Sequence, residues 1–512
     1  VADVRTLVAS VQFLPLLKGE VNVDELTFKH LKANTANFIG DLRIKGNLEK
    51  LHVHSHGIML NNDSAKIDFA EIENGWLDVA LGDTVPKDTT KEKTLWKINI
   101  DKVTLSKTDF RLHLPGDSMT VHANFHSAIA NNAQLLLHDN IYKVEALDWH
   151  GGDLDYDLPY KLHALKGFDS NHISASDINL GVDSFVYSKP DISVKIRAAN
   201  FKEHSGLVVR DMSGGFLMDD KQLRLSDFRL KMPMTDIGGK FWMDMNAFDD
   251  VNPGHFFADL DGKIGVSDLN PFLVSVPKAY LSKLPYESLN VKGRLYGNLN
   301  YLSFRNLTLG YPSAFTINGN GYAANLTNTD KLKASARLSL TTRNMAFVKK
   351  FMPASSRKTI NIPSGLNVKG FFKIDKKLVE TDFAANYSGG SLKAKGFFND
   401  ADNRYNVTAN ARNFKIGDIV RGMKLGPLSG FLSARGKGTD FPSAATSLAL
   451  NTRIDKFRFG KYTLDGIKGN VRMSGGRIDA RVNSHNPMAG GNIHVNGRLA
   501  KNSLDVHLSG NV

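Results

Sequence analysis

Along most of this chain apolar and polar residues alternate with a period of two, and few patterns restrict a fold so severely. Trp96, Ile98 and Ile100 alternate with Lys97 and Asn99, and Phe110, Leu112 and Leu114 with Arg111 and His113. Ile192, Val194 and Ile196 repeat the pattern, as do Tyr405, Val407, Ala409 and Ala411, and then Leu504, Val506 and Leu508. Successive side chains of an extended strand point to opposite faces, so each run reads as a strand with one buried face. Turn-forming clusters lie between them, among them Asn61-Asn62-Asp63-Ser64, Ser213-Gly214-Gly215, Ser388-Gly389-Gly390 and Ser474-Gly475-Gly476. Strand and turn recur every ~10–12 residues, the rhythm of a meander, sandwich or solenoid. At about 12 residues per strand the chain holds on the order of 40 strands. Long helices alternating with strands, the mark of a parallel α/β sheet, are missing from the pattern.

The expected fold is therefore all-β: an elongated, curled, antiparallel sheet forming a repeat-like groove, with a few short helical insertions. Residues 268–284 read as an amphipathic helical element, with Leu269, Phe272, Leu273, Val276, Tyr280, Leu281 and Leu284 on one side. Shorter helical pieces are expected at 11–17, 344–352 and 416–423, packing as plugs on a sheet end. A weak repeat overlies the alternation. Ile44-Lys45-Gly46, Val291-Lys292-Gly293, Val368-Lys369-Gly370 and Ile467-Lys468-Gly469 are each followed, 26 to 29 residues on, by Gly75, Gly319, Gly396 and Gly497. Gly46, Gly293, Gly370 and Gly469 read as structural glycines of a duplicated unit of about three strands.

The polar segment from Gly82 to Thr94 suggests a boundary, and Asp400 to Arg404 a long hairpin tip. The expected divisions are an N-terminal β module at 1–81, a groove segment at 95–265 and a helical insertion at 266–285. Groove repeats with short helices follow at 286–425. A last groove repeat, expected to continue beyond the chain, occupies 426–512.

At 512 residues the chain exceeds what one compact core supports. With no cysteine, disulfides, thiolate nucleophiles and Cys-based zinc sites are excluded. Its net charge of +13 is spread one or two cations per strand, so nucleic acid is not an expected partner. No stretch reaches the roughly 18 apolar residues of a membrane-spanning helix, and the segment from Val11 to Leu17 is broken by Gln12 and Pro15. The chain begins at Val1 and reads as a segment whose targeting sequence lies upstream.

Catalytic motifs are absent from the sequence: no Gly-x-Ser-x-Gly elbow and no His-Glu-x-x-His helix. Gly430 to Thr439 resembles a phosphate loop only faintly, with Gly438 where Ser or Thr is needed. His52, His54 and His56 share one strand face, yet steps of about 7 Å make joint coordination of one ion awkward. They read as an exposed polar face opposite Leu51 and Val53. Asp153, Asp155 and Asp157, like Asp249-Asp250, read as solvated turns. No enzyme activity, cofactor or metal is expected.

One resemblance gathers these features. The opening segment Leu14-Pro15-Leu16-Leu17-Lys18-Gly19-Glu20-Val21, continuing to Leu26, looks like the signature of AsmA-like proteins, in which a leucine-rich helix end turns into a first strand. The stretch from Val53 to Gly57 and on through Gly75-Trp76-Leu77-Asp78-Val79 is similar to the N-terminal part of the TamB-like branch, in its Bacteroidota form. The resemblance implies a periplasmic protein of the bacterial envelope, anchored in the inner membrane by an upstream helix. It implies an Omp85-type, TamA-like outer-membrane barrel as partner, phospholipid as cargo and a role in outer-membrane biogenesis. Candidate groove-lining residues are Ile98, Ile100, Phe110, Leu112, Ile192, Val194, Ile196, Phe383 and Val407. Small residues expected to point inward (Ala384, Ala409, Ala411, Ala480) favour an open trough. The other reading is a non-catalytic structural solenoid or adhesin-type scaffold whose own side chains fill its core.

Overall fold

The computed structural model describes residues 2–16, 22–35, 42–59, 63–81, 96–114, 118–247, 249, 251–298, 300–326, 328–487, 490–500 and 503–511. Most of them lie in strands, and the fold is all-β. The chain divides into two units, Val1–Asn246 with Leu260–Pro277, and Ala247–Asp259 with Lys278–Val512. The polar segment 82–94 and the Gly19-Glu20 turn lie outside the described residues.

The first unit opens with β1 (Ala2–Val11), β2 (Val23–Asn34), β3 (Leu42–Met59), β4 (Ser64–Leu81), β5 (Lys97–Leu114) and β6 (Met119–Leu136). It continues with β7 (Ile141–Asp157), β8 (His172–Ser188), β9 (Asp191–Glu203), β10 (Val208–Met218), β11 (Gln222–Lys231) and β12 (Asp236–Asp244). Strand β13 (Phe256–Ile264) has residues in each unit. The second unit carries β14 (Leu289–Gly297), β15 (Tyr301–Gly310), β16 (Phe315–Ala324), β17 (Lys333–Thr342), β18 (Asn367–Asp375), β19 (Leu378–Tyr387) and β20 (Gly390–Asn399). Then come β21 (Arg404–Lys415), β22 (Leu425–Lys437), β23 (Ser447–Phe459), β24 (Tyr462–Ser474), β25 (Arg477–Ser484), β26 (Gly491–Ala500) and β27 (Ser503–Asn511).

From β1 to β12 every strand pairs with the next in sequence. The same holds from β14 to β27. These pairings are antiparallel except one: β4 and β5 run parallel, with Ser64 beside Lys97 and Val79 beside Leu112. A parallel neighbour needs a return connection. Strands β4 and β5 are thus neighbours in one sheet.

Strands are fewer and longer than the alternation suggests, because β3 to β8 each run 17 or 18 residues. Left-handed residues are set inside β2, β4, β5 and β7: His30 (φ 52°), Asn74 (49°), Lys107 (48°) and Gly151 (71°). Flanking pairs bring them into line across the sheet. Lys29–Lys50 and Leu31–Leu48 bracket His30, and Leu48–Gly75 and Lys50–Glu73 bracket Asn74. Glu73–Ser106 and Gly75–Thr108 bracket Lys107, and Phe125–Gly152 and Ser127–His150 bracket Gly151. A left-handed residue bends a strand and resets its alternation. In β5 the apolar positions accordingly pass from Val103 and Leu105 to Phe110 and Leu112. The result is a crease. Ala123 and Ala128 of β6, on either side of it, are buried in one cluster with Trp149, Ala175 and Ile178.

The same device explains Ser213-Gly214-Gly215, which reads as a turn but lies inside β10 at a register shift. Asp153, Asp155 and Asp157 likewise belong to β7 and not to a turn. Ser388-Gly389 and Gly475-Gly476 do connect strands, β19 to β20 and β24 to β25, and 400–403 forms the β20–β21 hairpin turn.

Helix is shorter than the apolar spacing suggests. Residues 268–284 hold only a 3-10 turn ending at Leu269 and one α-turn, Lys278–Leu281. Pro271 and Pro277 remove backbone donors from the middle of the pattern and prevent a continuous helix. Phe13–Leu16, Ala346–Lys350 and Ile416–Asp418 are similarly brief, and Ala354–Thr359 is a helix the spacing does not signal. The Ala346–Lys350 turn does act as a plug in the second unit, with Phe347 stacked 6.1 Å from Phe315 and edge-on to Tyr311.

Candidate functional site

Residues directly opposite on neighbouring strands share a sheet face, so the register traces the apolar face of each unit. In the first unit Ile100 lies between Ile67 and Ala133. Its row continues through Val144, Phe185, Val194, Phe216 and Leu225 to Phe241. Beside it, Ile98 lies between Ala65 and Leu135, and Ile192 between Tyr187 and Met218. Ile196 is opposite Val182. Across the crease, Phe110 lies between Leu77 and Ala123, and Leu112 between Val79 and Val121. Ile98, Ile100, Ile192, Val194 and Ile196 thus share one face, Phe110 and Leu112 lie across the crease from them, and all seven are half-buried.

The other two belong to the second unit. Phe383 lies between Gly370 and Ala394, and Val407 between Gly396 and Ala434. Here one row alternates large and small, from Leu307 through Gly319, Leu338 and Gly370 to Phe383. It resumes at Leu432, Thr452, Gly469 and Val482. Gly293 faces the same row, since a Cβ there would stand 2.8 Å from Leu307 Cα. At Gly370 an added Cβ would meet Asp382 O and Phe383 Cβ, each at 2.5 Å. The neighbouring backbone leans over the apolar side of the glycine, so the sheet curves toward that side. In the first unit Gly46 plays a related part, lying opposite Leu77.

The glycine repeat falls three strands to a unit in β14–β16, β18–β20 and β24–β26. Gly46 and Gly75 instead span the two long strands β3 and β4. Of the small residues expected inward, Ala409, Ala411 and Ala480 lie on the apolar face. Ala384 faces outward with Asp382, because Phe383 and Ala385 take the inward positions beside it.

What lies over this face differs along the chain. At the crease, Phe125 and Trp149 pack 4.5 Å apart and Trp149 Nε1 donates to Gly151 O. In the second unit Ala385, Ala411 and Phe414 form a small core under Ile416 and Ile419. Elsewhere in that unit the face is open: Val379 (43%), Phe398 (38%), Leu432 (37%) and Val506 (37%) are exposed although they point inward. Among the described residues no helix exceeds six residues, too short to form a second layer.

The outward face is polar and charge-paired. Lys50 donates to Glu71 and Glu73 at 2.5 and 3.1 Å, and these hydrogen bonds raise its pKa. Lys373 and Glu380 pair at 2.6 Å, and Lys202 and Asp177 at 2.8 Å. His52, His54 and His56 share this face, as their spacing implies. His52 Nδ1 bonds Thr27 Oγ1, whereas His54 and His56 both turn to Asp68 of β4, at 2.9 and 2.6 Å. Partial burial opposes the charge on Asp68, but the hydrogen bonds of His56 and His54 outweigh it and lower its pKa. Asp68 is invisible to spacing along β3 because it arrives from the neighbouring strand.

Sequence reasoning also missed a cluster at the margin between β7 and β8. Asp157 and His172 are register partners, and the connection between them brings His163 alongside. Asp169 in that connection accepts the Ala164 and Asn171 backbone N–H groups and pairs with His172. These bonds, that of Ala164 foremost, hold its carboxyl well down, at about 2. No protein-family model matches the chain, and no curated protein is found to be similar to it.

Proposed function

We propose that this chain is a non-catalytic, lipid-carrying protein of the bacterial cell envelope, from the TamB-like branch of the AsmA-like proteins. In this reading the apolar face is a groove for phospholipid acyl chains. The protein crosses the periplasm, is held at the inner membrane by a helix upstream of this chain, and meets an Omp85-type, TamA-like barrel to support outer-membrane biogenesis. One observation supports it above others: rows of inward residues run from β4 to β12 in the first unit and from β15 to β25 in the second, where inward side chains stay exposed. Apolar surface left in water is unfavourable by roughly 25 cal/mol per Å², and acyl chains would cover it.

The test begins with the purified chain. Solvent extraction and native mass spectrometry should find bound phospholipid, and Phe110→Glu and Val407→Asp should lose it while keeping protease resistance. Both variants should also fail to support outer-membrane integrity in cells. An open groove hydrates an added carboxylate, whereas a dry core must bury it at a cost of several kcal/mol. The packed crease around Trp149 favours the second reading, a scaffold with a self-filled core. Unfolding of both variants, together with a lipid-free wild type, would establish that reading instead.

A further inference from the structure

The most sharply defined polar site is the cluster at the β7–β8 margin. His172 opens β8 with its side chain only 7% exposed. Its Nδ1 is 2.9 Å from Asp169 Oδ2, on a carboxylate already fixed by the backbone N–H groups of Ala164 (2.7 Å) and Asn171 (2.9 Å). An ionised carboxylate accepts hydrogen bonds, so Nδ1 carries the ring proton and Nε2 presents a lone pair. That Nε2 is buried and has no hydrogen-bond partner. It points into the space shared with Asp157 Oδ1, 3.4 Å away, and His163 Nε2 lies 4.0 Å from the same oxygen. The three ligand atoms all lie within 4.8 Å of one another.

We propose that Asp157, His163 and His172 form a divalent-cation site, with zinc its natural occupant and Asp169 the outer carboxylate that orients His172. Two imidazoles and one carboxylate suit zinc, whose bonds of about 2.0–2.2 Å set tetrahedral ligands about 3.4 Å apart. The Asp157–His172 separation already has that value. A carboxylate on the far nitrogen of a ligating histidine is the usual second partner, since it fixes the tautomer and strengthens the donor. One movement is required. The His163 ring lies stacked on His172, with centroids 3.6 Å apart and planes 22° from parallel, so its lone pair must tilt toward the ion. With its side chain 75% exposed, His163 is free to make it.

Such an ion would clip the 158–171 connection to the sheet. This connection carries Leu162 (95% exposed) and Leu165 (100% exposed) and packs Phe168 on Phe272. The role is structural, and the fourth ligand would be water.

The full chain, stripped with a chelator and dialysed, is titrated with zinc sulfate by calorimetry and with cobalt(II) by visible absorption. Wild type should take up a single tight zinc ion and give a tetrahedral cobalt spectrum. His163→Ala, which alters an exposed ring and spares the fold, should abolish both. Asp169→Asn should weaken binding about 10- to 100-fold. Double replacement of His54 and His56 by Ala should leave the tight site intact. Zinc should also slow trypsin cleavage after Lys161 and Lys166 in wild type but not in His163→Ala. Equal zinc binding by wild type and His163→Ala, or loss of the tight site only in the His54/His56 variant, would overturn the assignment and leave a hydrogen-bonded surface cluster.

Discussion

The two units curve an apolar-faced sheet by different means. In the first, long strands bend at a line of left-handed residues, and Trp149 with small alanines packs the bend. In the second, strands are shorter, β16 to β21 pair without a register shift, and glycines set against large side chains let neighbouring backbones close in. The first method concentrates burial in one seam; the second spreads it thinly and leaves inward residues exposed. A seam fails all at once, whereas distributed curvature should fail locally.

The largest effect should come from removing the seam. Trp149→Ala deletes a side chain only 5% exposed, and large-to-small core changes of this kind cost about 3–5 kcal/mol. All four tryptophans (Trp76, Trp96, Trp149, Trp242) lie in the first unit, so fluorescence-monitored urea unfolding reports on it alone. The midpoint should fall steeply, with hydrogen exchange in β14–β27 unchanged; equal loss in both units would erase the distinction. Gly370→Val comes next, costing about 1–3 kcal/mol through overpacking. Its exchange footprint should stay within β17–β19, next to the clash with Asp382 O and Phe383. The crease itself supplies a finer test. Asn74→Ala places alanine at φ 49°, where a left-handed residue costs about 1–2 kcal/mol, partly offset in asparagine by local hydrogen bonding. Smallest, and opposite in sign, is Lys107→Gly. It relieves the same strain at φ 48° and should raise the fluorescence midpoint, by under about 1 kcal/mol after the glycine's added unfolded-state entropy. A lowered midpoint would mean that the lysine stem, not the backbone, holds the crease.

These residues also show what could be read in advance. Alternation grouped Ile98 with Ile100, Phe110 with Leu112, and Ile192 with Val194 and Ile196, because side-chain direction in a strand is a local property. It could not reveal the crease, since Lys107 and His30 are ordinary residues whose left-handed backbone is imposed by their neighbours. Where the crease device used glycine, as in Ser213-Gly214-Gly215, the signal was visible but indistinguishable from a turn. Asp68 beside His54 and His56, and His163 beside Asp157 and His172, depend on which strand lies next to which. Spacing along one strand carries no such information.

The order of pairing has a kinetic consequence. Within each unit a strand pairs with its predecessor on one edge and its successor on the other, so each pairing joins strands that are neighbours in sequence. Low contact order favours fast assembly. Structure of this kind can be laid down one hairpin at a time, in the direction in which the chain emerges. The parallel β4–β5 pairing is the exception: all its pairs, such as Ser64 with Lys97, are equally far apart in sequence, whereas an antiparallel ladder starts from a near pair such as Met59 with Ser64. While it waits, β4 presents an unpaired edge, the feature that templates wrong pairings. Early misassembly in pulse-labelling experiments should therefore centre on β4, and a chaperone that shields strand edges would have most to do there.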